Sequence, residues 1–167
     1  MNVHSVIQSQ YHASLEMMRQ VVERCPDELW DQPVNGVSLW RIAYHALFYV
    51  HLYLQPTLAD FAPWSRHRPD YEMLAAPPWD PTYDLKIGEP YRKQDLLDYI
   101  DDCHAQVDRI VPALDMAGAS GFDWLPFSKL ELQLYSIRHL QQHIGELSER
   151  LGAHSAINID WVGQKHS

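Results

Sequence analysis

The chain has 167 residues, 46% of them hydrophobic, with 13 basic against 22 acidic side chains and a net charge of −9. That length and apolar content suit one substantial core, read as a single helical domain over residues 1–167, and an acidic chain without a Lys or Arg cluster lacks the means to neutralise phosphates, which sets nucleic acid aside as a partner. Two distant cysteines, Cys25 and Cys103, a start MNVHSVIQSQYH that is no secretion leader, and apolar runs well short of the roughly 20 residues of a membrane span predict a cytoplasmic protein with no membrane part.

In chain order, Ile7, Tyr11, Leu15, Met18 and Val22 recur at steps of three and four and predict a first helix over 5–24, ended by Pro26. The stretch PDELWDQPVNGV reads as turns and delivers the chain to Ser38, an expected N-cap for a second helix over 39–55, whose apolar side is Leu39, Ile42, Ala43, Ala46, Val50 and Leu54. Residues 56–90 carry Pro56, Pro63, Pro69, Pro77, Pro78, Pro81 and Pro90 together with Trp64, Tyr71, Trp79 and Tyr83. Prolines stop helices while the aromatics ask for apolar partners, so this is read as a long excursion folded against the helices, with Trp64, Tyr71 and Trp79 as either core residues or substrate contacts.

A third helix is predicted from Lys93 to about Leu114 on Leu96, Leu97, Ile100, Val107, Ile110 and Val111. A fourth is expected to start near Ser128, run through Leu130, Leu134, Ile137, Ile144, Leu147 and Leu151, and stop at Gly152. The tail NIDWVGQKHS is expected to pack across one end of the helices through Trp161. Four helices with one long crossover between the second and third predict an all-α, four-helix-bundle fold.

Within the fourth helix, IRHLQQHIGELSERLG places His139 and His143 four residues apart, on one face and at the edge of the apolar stripe. That position suits a groove between helices as well as plain surface, and periodicity leaves both open. The second helix offers His45 beside Ile42, Ala46 and Val50. Three imidazole nitrogens with a fourth position free make the open kind of site found for catalytic zinc.

The LWRIAYH stretch with its histidine, the long interruption before the third helix and the late HLQQHIGEL pair resemble the DinB-like family of damage-inducible helical metalloenzymes. The likeness spans nearly the whole chain in element order, and its specific signal rests on the three histidines. It implies a divalent metal, zinc or nickel foremost, held by His45, His139 and His143, with a low-molecular-weight thiol as cosubstrate in transfer to a small-molecule substrate, and it implies a homodimer. Metal-dependent hydrolysis and non-catalytic metal or ligand binding are the other readings, since a fold does not specify a reaction.

Glu146, one turn after His143, is a candidate orienting partner or proton-transfer group. His51 is expected to point away from His45, toward solvent or a loop. Asp101 and His104 lack the repeated Glu-x-x-His pairs of a di-iron bundle, and Cys103 reads as structural rather than nucleophilic. No serine elbow, phosphate loop or dinucleotide fingerprint occurs.

Overall fold

The computed structural model describes residues 2–165, whose regular structure is helical apart from two isolated β-bridges. Helix α1, Val3–Arg24, is capped by Asn2, whose side chain accepts from the His4 amide, and all five residues of its predicted apolar row are buried. The connection that followed was read as turns throughout, yet Asp27–Trp30 forms one helical turn, α2. Four residues are too few to show a period. Two acids in the first turn favour it, and Trp30 anchors it by burying its ring and donating from Nε1 to the Tyr91 carbonyl at 2.7 Å.

Helix α3, Leu39–Leu54, is buried nearly all round. Ser38 sits at its N-cap position with extended backbone, but its hydroxyl does not cap the helix as expected; it donates to Asp31, which also accepts from Trp40 Nε1 at 2.6 Å. From Gln55 to Arg92 the chain makes only a short 3-10 turn, Leu58–Asp60. This segment packs inward through Trp64, stacked on Tyr99 at 4.5 Å and donating to Asp102, and through Tyr71, which meets Trp40 and Tyr91. Trp79, by contrast, is 86% exposed, so the aromatics of the segment divide between anchors and surface.

Helix α4, Lys93–Ile110, starts on a reciprocal cap between Arg92 and Asp95 and runs into a 3-10 turn at Val111–Ala113. Helix α5, Lys129–Ser155, begins at Ser128, which accepts from the Glu131 amide. It does not stop at Gly152: it passes through and ends at Ala156 in the left-handed region, φ 53°. His154 therefore lies in its last turn rather than beyond it.

The buried row of α5 also differs from its apolar row. Leu134 is 56% exposed, while the polar Gln133 and Ser136 are buried with Leu132, Leu140, Ile144, Leu147 and Leu151. Gln133 is tolerated there because both ends of its amide are used, accepting from Tyr11 Oη at 2.9 Å and donating to the Tyr53 carbonyl at 3.1 Å. Helix α1 packs against α4 and α5, and α3 packs against the same two, which creates an α3–α5 groove and an α1–α4 groove with no helix in common.

Buried Lys129 ties the α3–α5 groove at one end: its ammonium donates to the carbonyls of Gln55, Pro56 and Ser120, the first two at the C-terminus of α3, where a cation is favoured. The tail does not cross an end of the helices. It runs along α1, bonded through Arg24, Gln20 and Gln10, and leaves Trp161 78% exposed. No helix among the described residues is long and apolar enough to cross a membrane.

Candidate metal centre

His45 projects from α3, and His139 and His143 from α5, into the groove these helices share. The Nε2 atoms converge, with His45 to His139 at 3.1 Å and His143 to His139 at 3.2 Å. His143 is buried and the other two are half-buried. This is the only group of three or more His, Cys, Asp or Glu among the described residues whose donor atoms gather within 4.8 Å.

The outer nitrogens decide the tautomers. His45 Nδ1 lies 2.6 Å from the carbonyl oxygen of Glu72, which can only accept, so the proton of a neutral His45 is on Nδ1 and its Nε2 is bare. His143 Nδ1 faces Glu146 Oε2 at 3.2 Å, a carboxylate, with the same consequence. His139 Nδ1 is buried without a partner. Burial holds His45 down at about 3 and His139 at about 4, so both are neutral near pH 7. With all three imidazoles neutral, the inward nitrogens share at most the single proton of His139, and one hydrogen bond cannot satisfy the set.

A cation can. Ligand nitrogens about 2.0–2.1 Å from a tetrahedral ion stand about 3.3–3.4 Å from one another, close to the spacing found here. An all-imidazole donor set suits late first-row divalent ions better than magnesium or calcium. The residues present thus fit a divalent metal both in spacing and in protonation.

Behind this set, Glu146 bridges His143 and Arg150, whose Nη2 donates to Oε1 at 2.7 Å while Nη1 donates to the Val37 carbonyl at 2.8 Å. Glu146 is thus on the outer side of the His143 ring and holds its orientation, which favours the positioning role over proton transfer. Tyr49, one turn after His45, packs on both His45 and His139 at 4.8 and 5.5 Å between ring centres, and burial followed by the nearby Glu72 raises its phenol above the ordinary value. The spacing of Tyr49 from His45 and of Arg150 from Glu146 carries an i, i+4 signal. The Glu72 carbonyl carries none, because a backbone oxygen has no residue code.

The remaining candidates are placed elsewhere. Trp64 and Tyr71 are core residues. His51 does not face solvent; it is buried, with Nδ1 3.0 Å from Tyr99 Oη and its ring edge-on to Phe61. Cys103 is buried and its thiol is pushed far up by burial, and Cys25 is raised to about 11 for the same reason, so neither is a ready thiolate. No family model, curated protein or solved structure matches the chain.

Proposed function

We propose that His45, His139 and His143 hold one divalent metal, zinc or nickel, in a DinB-like four-helix bundle that acts on a small-molecule substrate, and that the reaction is transfer to or from a low-molecular-weight thiol. The observation that carries the metal is the convergence of Nε2 atoms at 3.1 and 3.2 Å, with His45 and His143 each backed by an acceptor on Nδ1. The packing of α1 and α3 each against α4 and α5, with residues 55–92 joining α3 to α4, supports the bundle and its crossover.

A divalent ion bound there would supply Lewis acidity toward a thiol or carbonyl group. The chain's own residues then have definite tasks. The Glu72 carbonyl and the Glu146 carboxylate face Nδ1 of His45 and His143 and fix both rings; Arg150 ties Glu146 to the backbone before α3; Tyr49 packs on the His45 and His139 rings. Both cysteines being buried and protonated, the chain offers no thiolate of its own, which supports a thiol arriving as cosubstrate.

Elemental analysis of protein purified without a metal-affinity tag tests the metal, with one tight equivalent expected. Assays of that protein with electrophiles, with and without low-molecular-weight thiols, test the reaction. Ester or amide turnover independent of thiol would replace transfer with hydrolysis, and bound metal without turnover across both panels would replace catalysis with metal binding alone.

A further inference from the structure

A cleft on the α4 side of α3 carries hydrogen-bond donors that have no acceptor. It consists of two adjoining recesses, of about 490 and 410 Å3, that share Gln55, Asp60 and Arg109. Volumes of this order hold small molecules. His51 lines the first recess and is only 6% exposed. Its Nδ1 lies 3.0 Å from Tyr99 Oη, and the fully buried Tyr99 hydroxyl has no other hydrogen-bond partner among the described residues. A phenol that merely accepted there would leave its own proton unpaired, so Tyr99 donates to Nδ1 and the proton of neutral His51 is on Nε2. That Nε2–H has no partner among the described residues and is not sealed in the core, which leaves it to the cleft.

Two further donors stand beside it. Gln55 donates to the His51 carbonyl at 3.0 Å and to Gln106 Oε1 at 2.8 Å; with that oxygen engaged, Gln106 has its NH2 to offer. Arg109, one turn after Gln106 on α4, lines both recesses, makes no ion pair or side-chain hydrogen bond among the described residues, and is the charge that acts on His51. The acids of the cleft are engaged already: Asp102 accepts from Trp64 Nε1 at 2.8 Å, and Asp60 accepts from the Thr57 amide at 3.0 Å and from its hydroxyl at 2.6 Å. An imidazole N–H, an amide and a guanidinium therefore wait for an acceptor, and an anion satisfies all three. The residues that the second recess does not share are Pro56, Ile110, Ala113 and Leu114, all apolar.

We propose that this cleft binds a small amphipathic carboxylate, its head taken by His51 Nε2–H, the Gln106 amide and Arg109, its tail laid along Pro56, Ile110, Ala113 and Leu114. A monoanion is favoured over a dianion such as phosphate, because Arg109 is the one cation lining the cleft while Asp60 and Asp102 also line it. From Arg109 to Ala113 the chain passes from the end of α4 into the 3-10 turn and advances about 6–8 Å, the reach of about five or six carbons. The proposal does not rest on the metal centre: His51 bonds toward α4, whereas His45 faces α5.

NMR titration of the isotope-labelled full chain tests this, with hexanoate as the probe and with the protein stripped by a chelator so that no ion at the three histidines can take the carboxylate. A dissociation constant of about 1 mM or tighter is expected, with shift changes centred on His51, Gln106, Arg109 and Ala113. Arg109→Gln, a change at an exposed position, should weaken binding by about tenfold or more, and Gln106→Leu by about fivefold. Acetate, which leaves the apolar end empty, should bind about tenfold more weakly than hexanoate, and hexanol and hexylammonium more weakly still.

No saturable change up to about 20 mM hexanoate overturns the proposal. So does binding that Arg109→Gln leaves unaltered, which would make Arg109 a cation at the end of α4 and nothing more. Hexylammonium binding as well as hexanoate would give the cleft to Asp60 and Asp102, and inorganic phosphate binding as well as hexanoate would make it a site for bare anions; either result overturns the amphipathic carboxylate.

Discussion

The α3–α5 and α1–α4 grooves each bring histidines together across facing helices, and they differ in how the ring nitrogens find partners. In the α1–α4 groove His12 Nδ1 meets His104 Nδ1 at 2.6 Å and His12 Nε2 meets Asp108 Oδ1 at 2.8 Å, so the group closes as a chain of hydrogen bonds. In the α3–α5 groove the Nδ1 atoms of His45 and His143 face the acceptors Glu72 and Glu146, so with all three imidazoles neutral the inward nitrogens are left with at most the proton of His139. A pair can satisfy itself; this triad cannot. The difference ranks the two grooves as cation sites without reference to any relative, because it follows from what stands behind each ring.

The largest effect expected is on the α3–α5 groove itself. Replacing His45, His139 or His143 by Ala should lower affinity for the tight metal by about a hundredfold, since each removes one of three donors and leaves a cavity among the others. His154→Ala, an exposed change in the last turn of α5, should leave it unaltered. Dialysis against a chelator of known affinity followed by elemental analysis measures both. Equal retention of metal in the ligand variants and in His154→Ala would falsify the three-histidine assignment.

Lys129→Met should act on the frame of that groove. It removes a buried ammonium and strands three carbonyls, of Gln55, Pro56 and Ser120, for an expected loss of about 2–4 kcal/mol in urea unfolding. Because these carbonyls join α3 to α5, the tight site should loosen in the folded variant. A stability unchanged within about 0.5 kcal/mol would show that the carbonyls find other donors.

Glu146→Gln isolates orientation from ligation. Gln has a single accepting oxygen, so it keeps the bond to either His143 Nδ1 or Arg150 and turns its NH2 toward the other, and as a neutral group it does less to support a donor ring; affinity for the tight metal should fall by about tenfold. A competitive chelator titration reads the affinity, and an unaltered value would reduce Glu146 to a surface partner of Arg150.

Much of this was legible in the sequence where burial and apolarity coincide. Ile7, Tyr11, Leu15, Met18 and Val22 form the buried face of α1, and the row from Leu39 to Leu54 is buried in α3. Reading failed where polar side chains are buried and satisfied. Gln133 and Ser136 occupy the inner face of α5 while Leu134 faces solvent, which rotates the apparent stripe away from the real one. Gly152 looked like a stop because glycine favours the left-handed cap, but Ala156 takes that conformation here.

The site was legible in part for the same reasons. His139 and His143 declare a shared face by their spacing, His45 stands beside the apolar row of the second helix, and the family resemblance joined the three. The Glu72 carbonyl could not be read, because its position depends on the course of residues 55–92. The meeting of His12 with His104 could not be read either: two residues 92 apart are joined only by how α1 and α4 are packed, and each alone looks like an ordinary helix-face histidine.

His51 supplies the control that belongs to neither groove. It is 6% exposed, its Nδ1 lies 3.0 Å from the Tyr99 hydroxyl, Gln55 one turn on donates to its carbonyl, and Arg109 is the charged group acting on it. Burial, and then Arg109, hold it at about 4, against about 6.5 for an unfolded histidine. Its folded value being the lower one, the unfolded chain binds the proton first as pH falls. Stability is therefore full above about pH 6.5 and declines as pH drops through the window down to about 4. At pH 5.5, one unit below the unfolded value, the loss from this residue is about 1 kcal/mol. His51→Asn, which does not titrate, should lack that component, so the stability difference between wild type and variant in chelator-treated protein should shrink by about 1 kcal/mol between pH 7.5 and 5.5. A difference that stays constant across this range would mean that water or a neighbour accepts the His51 charge in the folded protein. The residue would then no longer serve as the buried reference outside both grooves against which they are distinguished.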